Sequence, residues 1–150
     1  MSVVPSKTYD LNSVFIVLGG QRIDGFGETD VISFEMASDV FEDSASADGR
    51  VVVSKLNDAR VYAEITVSEM SRGYRVLGEL LDEQIATEGA LPNLSFLMQD
   101  AINGDTISDR QAVFIARPGP GKARTAGERV FRILLPNAAD QIRYGANNLV

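Results

Sequence analysis

The sequence predicts a mainly β fold: an antiparallel β-barrel or sandwich with one flanking α-helix. Three observations lead there. Apolar residues alternate with a period of two along most of the chain. Turn dipeptides separate the alternating runs, at Gly19-Gly20, Asp48-Gly49, Asn57-Asp58 and Asn103-Gly104. A single stretch, from Ser71 to Gly89, changes to helical spacing. Many short strands, turns between them and one helix suit a barrel or sandwich with a helix attached.

The elements follow in order. "SVFIVLGGQRIDGF" reads as a β-hairpin, with Val14, Ile16 and Leu18 on one face and Phe15 and Val17 on the other. Gly19-Gly20 tolerates the positive φ that a two-residue hairpin turn needs. Gly25 and Gly27 break the returning strand. "DVISFEMA" alternates cleanly: Ile32, Phe34 and Met36 form one face, Val31, Ser33 and Glu35 the other. Residues 38–50 read as a long acidic loop carrying Asp39, Glu42, Asp43 and Asp48. "RVVVSKLN" and "RVYAEITVS" then read as an antiparallel hairpin over residues 50–68, turning at Asn57-Asp58. Val61, Ala63, Ile65 and Val67 point one way, and Arg60, Tyr62, Glu64, Thr66 and Ser68 the other. Ser71 is a good N-cap for the helix. Tyr74, Leu77, Leu80, Leu81 and Ile85 form its apolar stripe, and Gly89 and Pro92 close it. "LSFLMQDAI" and "ISDRQAVFIARP" give two further strands around Asn103-Gly104. "RPGPGKARTAGE" is a basic Gly/Pro loop, and "RVFRILLP" is the final strand.

At 150 residues the chain is one domain, 1–150, long enough to bury a core. Apolar residues make up 45% of it, an ordinary globular share. No run approaches the roughly 18 apolar residues of a membrane span. "MSVVPSKTYD" lacks the form of a secretory signal, which predicts synthesis in the cytosol and no membrane insertion. The chain has no cysteine and no histidine. Disulfides, Cys/His zinc sites, Cys nucleophiles and His-based triads are therefore excluded. The net charge of −7 argues against binding nucleic acid by phosphate neutralisation.

Three stretches invite a chemical reading and fail it. "PGPGKA" at 118–123 would need a glycine at Ala116 and a hydroxyl at Ala123 to form a phosphate loop. "DVFEDSASADG" meets Phe41 where an EF-hand needs its second ligand, and its flanks are strands. The carboxylate pairs Glu42-Asp43 and Asp82-Glu83 lack the burial that separates the pKa values of a catalytic pair. The sequence therefore assigns no catalytic, cofactor-binding or metal-ligating residue and predicts a structural or interaction protein, not an enzyme.

The ordered string Tyr9-Asp10, Gly19-Gly20, "IDGFGETDVISFE", "SADGRVVVSKLND", "ARVYAEITVSE" and "YRVLGELL" resembles tail tube proteins of contractile-tailed bacteriophages. The resemblance covers roughly residues 9–85, and the order of the motifs carries it. It implies hexameric rings stacked as the inner tail tube, with strands joined around a lumen and loops reaching the next ring. It implies tail sheath, baseplate and tape-measure partners. DNA would pass through the lumen without specific binding, in a virion tail assembled in the host cytoplasm. On this view Ser33, Glu35, Glu64 and Thr66, with Ser68 beyond them, are lumen-lining candidates. Asp39, Glu42, Asp43 and Asp48 are inter-ring loop candidates, and Glu79, Asp82 and Glu83 offer a sheath-facing helix surface. Carboxylates at a lumen wall repel phosphates within a Debye length of about 8 Å. The alternatives are a tube protein of a related contractile injection system (a tailocin or secretion-system tube), a tube-initiating baseplate protein, or a small β-sandwich binding module.

Overall fold

The computed structural model describes residues 14–24, 32–87, 94–101, 103–119, 121 and 127–145. Its elements are β1 (Val14–Leu18), β2 (Gln21–Ile23), β3 (Ile32–Met36), β4 (Phe41–Ala45), β5 (Val51–Lys55), β6 (Val61–Ser68), α1 (Arg72–Ala86), β7 (Leu94–Asp100), β8 (Thr106–Ala116) and β9 (Glu128–Leu135). A 3₁₀ turn at Ala138–Gln141 follows. Gly25, Gly27, Gly89, Pro92 and Lys122, which the sequence reading invoked as breakers or loop residues, lie outside the described residues.

Seven strands form one antiparallel sheet in the order β2-β1-β7-β8-β9-β6-β3. The sheet rolls over on itself through β8. The first half of β8 pairs with β7, and from Val113 onward it pairs with β9. Register shifts on both sides mark the corner. The result is two layers, and Phe34 of β3 meets Phe96 of β7 edge-to-face across them, centroids 6.2 Å apart. Ile16, Leu18, Ile65, Val67, Phe96, Phe131, Ile133 and Leu135 are fully buried between the layers. The alternation that places Val61, Ala63, Ile65 and Val67 inside is that of the sequence. The β-barrel or sandwich with one flanking helix is the fold observed.

The β1–β2 turn uses Gly19 and Gly20 at φ +60° and +80°. Only glycine takes two such residues without strain, so the Gly-Gly signal states the turn directly. α1 begins where Ser71 accepts the Tyr74 N–H at 3.1 Å and ends on Thr87, whose hydroxyl donates to the Glu83 carbonyl. Its buried line is Gly73, Val76, Leu77, Leu80 and Gln84. Ile85, expected in the apolar stripe, is exposed. The line that meets the sheet runs one residue earlier, through Gln84. That amide donates to the Ala112 carbonyl at 2.9 Å and accepts the Phe114 N–H at 3.0 Å. Gln84 thus completes the backbone pairing of β8 where that strand changes layer.

Two expectations about residues 38–68 are corrected. The acidic stretch is not wholly loop, because residues 41–45 are β4. The hairpin partner of β5 is β4, not β6, with Phe41 opposite Lys55 and Ala45 opposite Val51. β6 pairs instead with β3 on one side and with β9 along its full length on the other. The reason is burial. β6 carries four core residues and needs a strand on each edge, whereas β4 and β5 touch no core. Asn57-Asp58 is consequently a neck, not a hairpin turn: Asp58 accepts the Arg60 N–H at 3.1 Å and bends the chain from β5 into β6.

Candidate assembly site

β4 and β5 form a two-stranded ribbon inserted between β3 and β6. The β3–β6 ladder continues toward it through the Ala37 N–H to Arg60 carbonyl bond, 3.2 Å. The ribbon is held internally by the Leu56 N–H to Val40 carbonyl bond, 2.8 Å, and by Ser46 N–H to Arg50 carbonyl, 2.8 Å. At its tip Gly49 takes φ +86°. Asp48 there accepts hydrogen bonds from the Ser46 hydroxyl and the Arg50 N–H. These bonds hold its carboxyl below the ordinary value, the Ser46 bond contributing most.

Every residue of the ribbon is exposed. Its two faces nevertheless differ. Register places Phe41, Asp43, Ala45, Val51, Val53 and Lys55 on one face and Glu42, Ser44, Val52 and Ser54 on the other. The first face is largely apolar, with Phe41 58%, Val51 65% and Val53 61% accessible. A lone two-stranded ribbon is marginally stable in water, and this one shows water an apolar face. Of the inter-ring candidates, Glu42 and Asp43 sit on β4, Asp39 at its root and Asp48 at the tip. One arm therefore carries all four.

The lumen candidates lie on the outer face of β3 and β6. Ser33 stands opposite Glu64, and Glu35 opposite Tyr62. Register adds a residue that the sequence reading did not place there: Arg132 of β9, opposite Glu64. Its guanidinium reaches Glu64 at 2.8 Å and Glu35 at 3.5 Å, and lies 4.6 Å from the Tyr62 ring centroid. The expected wall of bare carboxylates is a triad in which two carboxylates share one cation. The sequence held one clue, the alternation that sets Arg132 opposite Phe131 and Ile133, but strand pairing is not readable from spacing. Thr66 departs from the set. It is 8% accessible, in a run where Ile65, Thr66 and Val67 are all buried. Both faces of β6 are covered there, so Thr66 offers a channel no surface.

Glu79, Asp82 and Glu83 are exposed on the solvent side of α1, away from its buried line. Near the helix start, Arg129 and Glu69 pair at 2.5 Å with both side chains mostly buried, clamping β9 to the turn before α1. Two buried carboxylates are structural: Asp109 accepts the N–H groups of Gln111 and Asn137 at 2.8 and 2.7 Å, and Asp100 accepts that of Asn103. Among the described residues no three of Asp, Glu, His and Cys gather as a metal site. No described helix is long and apolar enough to cross a membrane.

No protein-family model matches the chain, and no curated protein matches it in sequence. Solved structures do share its fold. The anti-feeding prophage cap, a tube-terminating cap, aligns with a TM-score of 0.58 at 6% identity, over 96% of this chain and 96% of that one. The sheath/tube terminator of PVC, an extracellular contractile injection system, aligns in its extended state with a TM-score of 0.58 at 6% identity, over 95% of this chain and 100% of that one. At such identity the likeness is one of fold.

Proposed function

We propose that this chain is a non-enzymatic structural subunit that assembles with its own copies into a ring on the inner tube of a contractile injection machine, at the tube's end. The exposed arm carries the reading. An apolar ribbon face that packs on none of the described residues of its own chain is explained by a second subunit that covers it. The choice of machine rests on fold likeness along nearly the whole chain to two tube terminators, and on the ordered motifs over residues 9–85. In such a ring the arm reaches the neighbouring copy, and the outer face of β3, β6 and β9 borders the lumen. The triad there keeps one net negative charge, two carboxylates against Arg132. That charge disfavours phosphate binding while the ion pairs hold the side chains flat. Tube and sheath subunits are the expected partners, with the α1 surface at Glu79, Asp82 and Glu83 as a docking face for the sheath.

The motif string favours a second reading, in which the rings stack without limit as the tail tube of a phage. Negative-stain electron microscopy of the purified protein over a range of concentrations separates the two. Discrete rings support the terminator, and long hollow tubes support the stacking subunit. Monomers at every concentration, with and without purified tube fragments, reject both.

A further inference from the structure

The described residues hold a second apolar surface without a cover. A cleft of about 190 Å³ opens at the end of the sandwich from which the arm springs, lined by Phe34 and Met36 of β3, Met98 of β7, Ile107 of β8, and Ile142 and Tyr144 after the 3₁₀ turn. Its wall is almost entirely apolar, and Met36 and Tyr144 are exposed on its rim. The same rim carries Arg143, fixed by the backbone bridge to Thr106. The Arg143 guanidinium donates to the Ile142 carbonyl at 3.0 Å, and no carboxylate meets it among the described residues. Asp105 beside it is engaged by the Gly145 N–H at 2.7 Å.

We infer that this cleft is the receptor for the arm of a second copy, with Phe41 as the anchor in the cleft and Asp43 paired to Arg143. The inference rests on the ring-forming reading above and names its contact. Three features match. Phe41 and Asp43 share the ribbon's apolar face, roughly 7 Å apart along the strand, so an inserted Phe41 carries Asp43 to the rim. The arm is acidic, and neither Glu42 nor Asp43 has an ion pair among the described residues, while the cation of the rim is Arg143, which meets a carbonyl and no carboxylate among them. An aromatic side chain in an apolar pocket with a charged pair at the edge is how interface anchors are built.

The chain has no cysteine, so the contact can be read by cross-linking. Met36→Cys and Val53→Cys are made in separate chains, mixed in equal amounts and oxidised. Val53 lies opposite Asp43 on the same face of the ribbon. The expected result is a covalent dimer in the mixture, lost when Asp82→Cys on α1 replaces Met36→Cys. Arg143→Glu should abolish the dimer, and Asp43→Arg in the partner should restore it. Rings without a 36–53 cross-link would overturn this contact and leave the ring reading standing. A cross-link without rings would do the reverse. If Met36→Cys instead closes within one chain onto Leu149→Cys, the chain's own last residues fill the cleft and the inference falls.

Discussion

Gln84 is a polar residue on the buried line of the only described helix, and two hydrogen bonds account for it. β8 changes partner at Ala112–Phe114, and a strand that does so leaves backbone groups facing the core. A buried backbone group without a partner costs about 1–3 kcal/mol. Gln84→Met keeps the volume and removes both bonds, so it should lower stability by about 2–4 kcal/mol in urea denaturation. A loss within about 0.5 kcal/mol, the range of ordinary surface substitutions, would mean that water or a backbone shift serves β8 equally well. Asp58 acts at the neck of the arm. Its carboxylate meets Arg60 in a two-pronged pair, 2.9 and 2.7 Å, and this hydrogen bonding lowers its pKa from 3.8 to about 2. A carboxyl depressed by folding contributes its stability above its unfolded pKa and loses it as pH falls through the folded one. The neck should therefore hold from neutral pH down to about 4 and loosen between about 4 and 2. An NMR titration of the Asp58 carboxyl checks this, and a midpoint at the ordinary value would show that the pair does not persist in solution.

Gly73 sits one residue inside α1 and is buried against the end of β2. A Cβ built on it would collide with the Asp24 carbonyl oxygen, a backbone atom with no rotamer to escape into. Two effects oppose each other in Gly73→Ala. Helix propensity favours alanine by about 1 kcal/mol, and overpacking costs about 1–3 kcal/mol. Because the obstacle is backbone, the second should win, with a net loss of about 1–2 kcal/mol by thermal or urea unfolding. A gain in stability would show that the helix does not approach β2 so closely. Such close approaches are not legible in a sequence, but the elements they join are. Period-two alternation located β1, β3, β6, β7, β8 and β9, because each turns one face toward the core, β3 only in part, and burial selects alternating residues. Ser71, Gly19 and Gly20 were legible for the same reason: their conformations admit few residue types. β4 was not. Glu42, Asp43 and Ser44 are poor strand formers, and only pairing with Val51, Val52 and Val53 makes them a strand. The Arg132 triad was hidden likewise, since Glu35, Glu64 and Arg132 are neighbours only through a strand order that no local pattern states. Thr66 and Ile85 sat where alternation or helical spacing put them, but each was misjudged for what covers it.

The chain consists of a closed sandwich and an arm, and the two should be separable. The sandwich buries its own core without the ribbon, since β3 and β6 pair directly from Met36 and Val61 onward and no residue of β4 or β5 belongs to the core. Removing only residues 40–47 would delete β4 and leave Val51, Val52 and Val53 as an unpaired apolar strand, which is an aggregation hazard in itself. The clean test removes the ribbon as a unit, replacing residues 40–56 with a short Gly-containing turn between Asp39 and Asn57. The deleted segment contributes nothing to the core, Leu56 being its one half-buried residue, and shortening a loop by that much changes its closure entropy by only about 1 kcal/mol. The armless chain should therefore unfold cooperatively, within about 1 kcal/mol of the full chain in urea, and, on the proposed function, should sediment as a monomer at concentrations where the full chain is expected to form rings. If it assembles as the full chain does, then sheet edges or the helix face make the ring and the arm has another use. If it fails to fold, the ribbon belongs to the domain after all, and its exposed apolar face must pack onto its own subunit in solution.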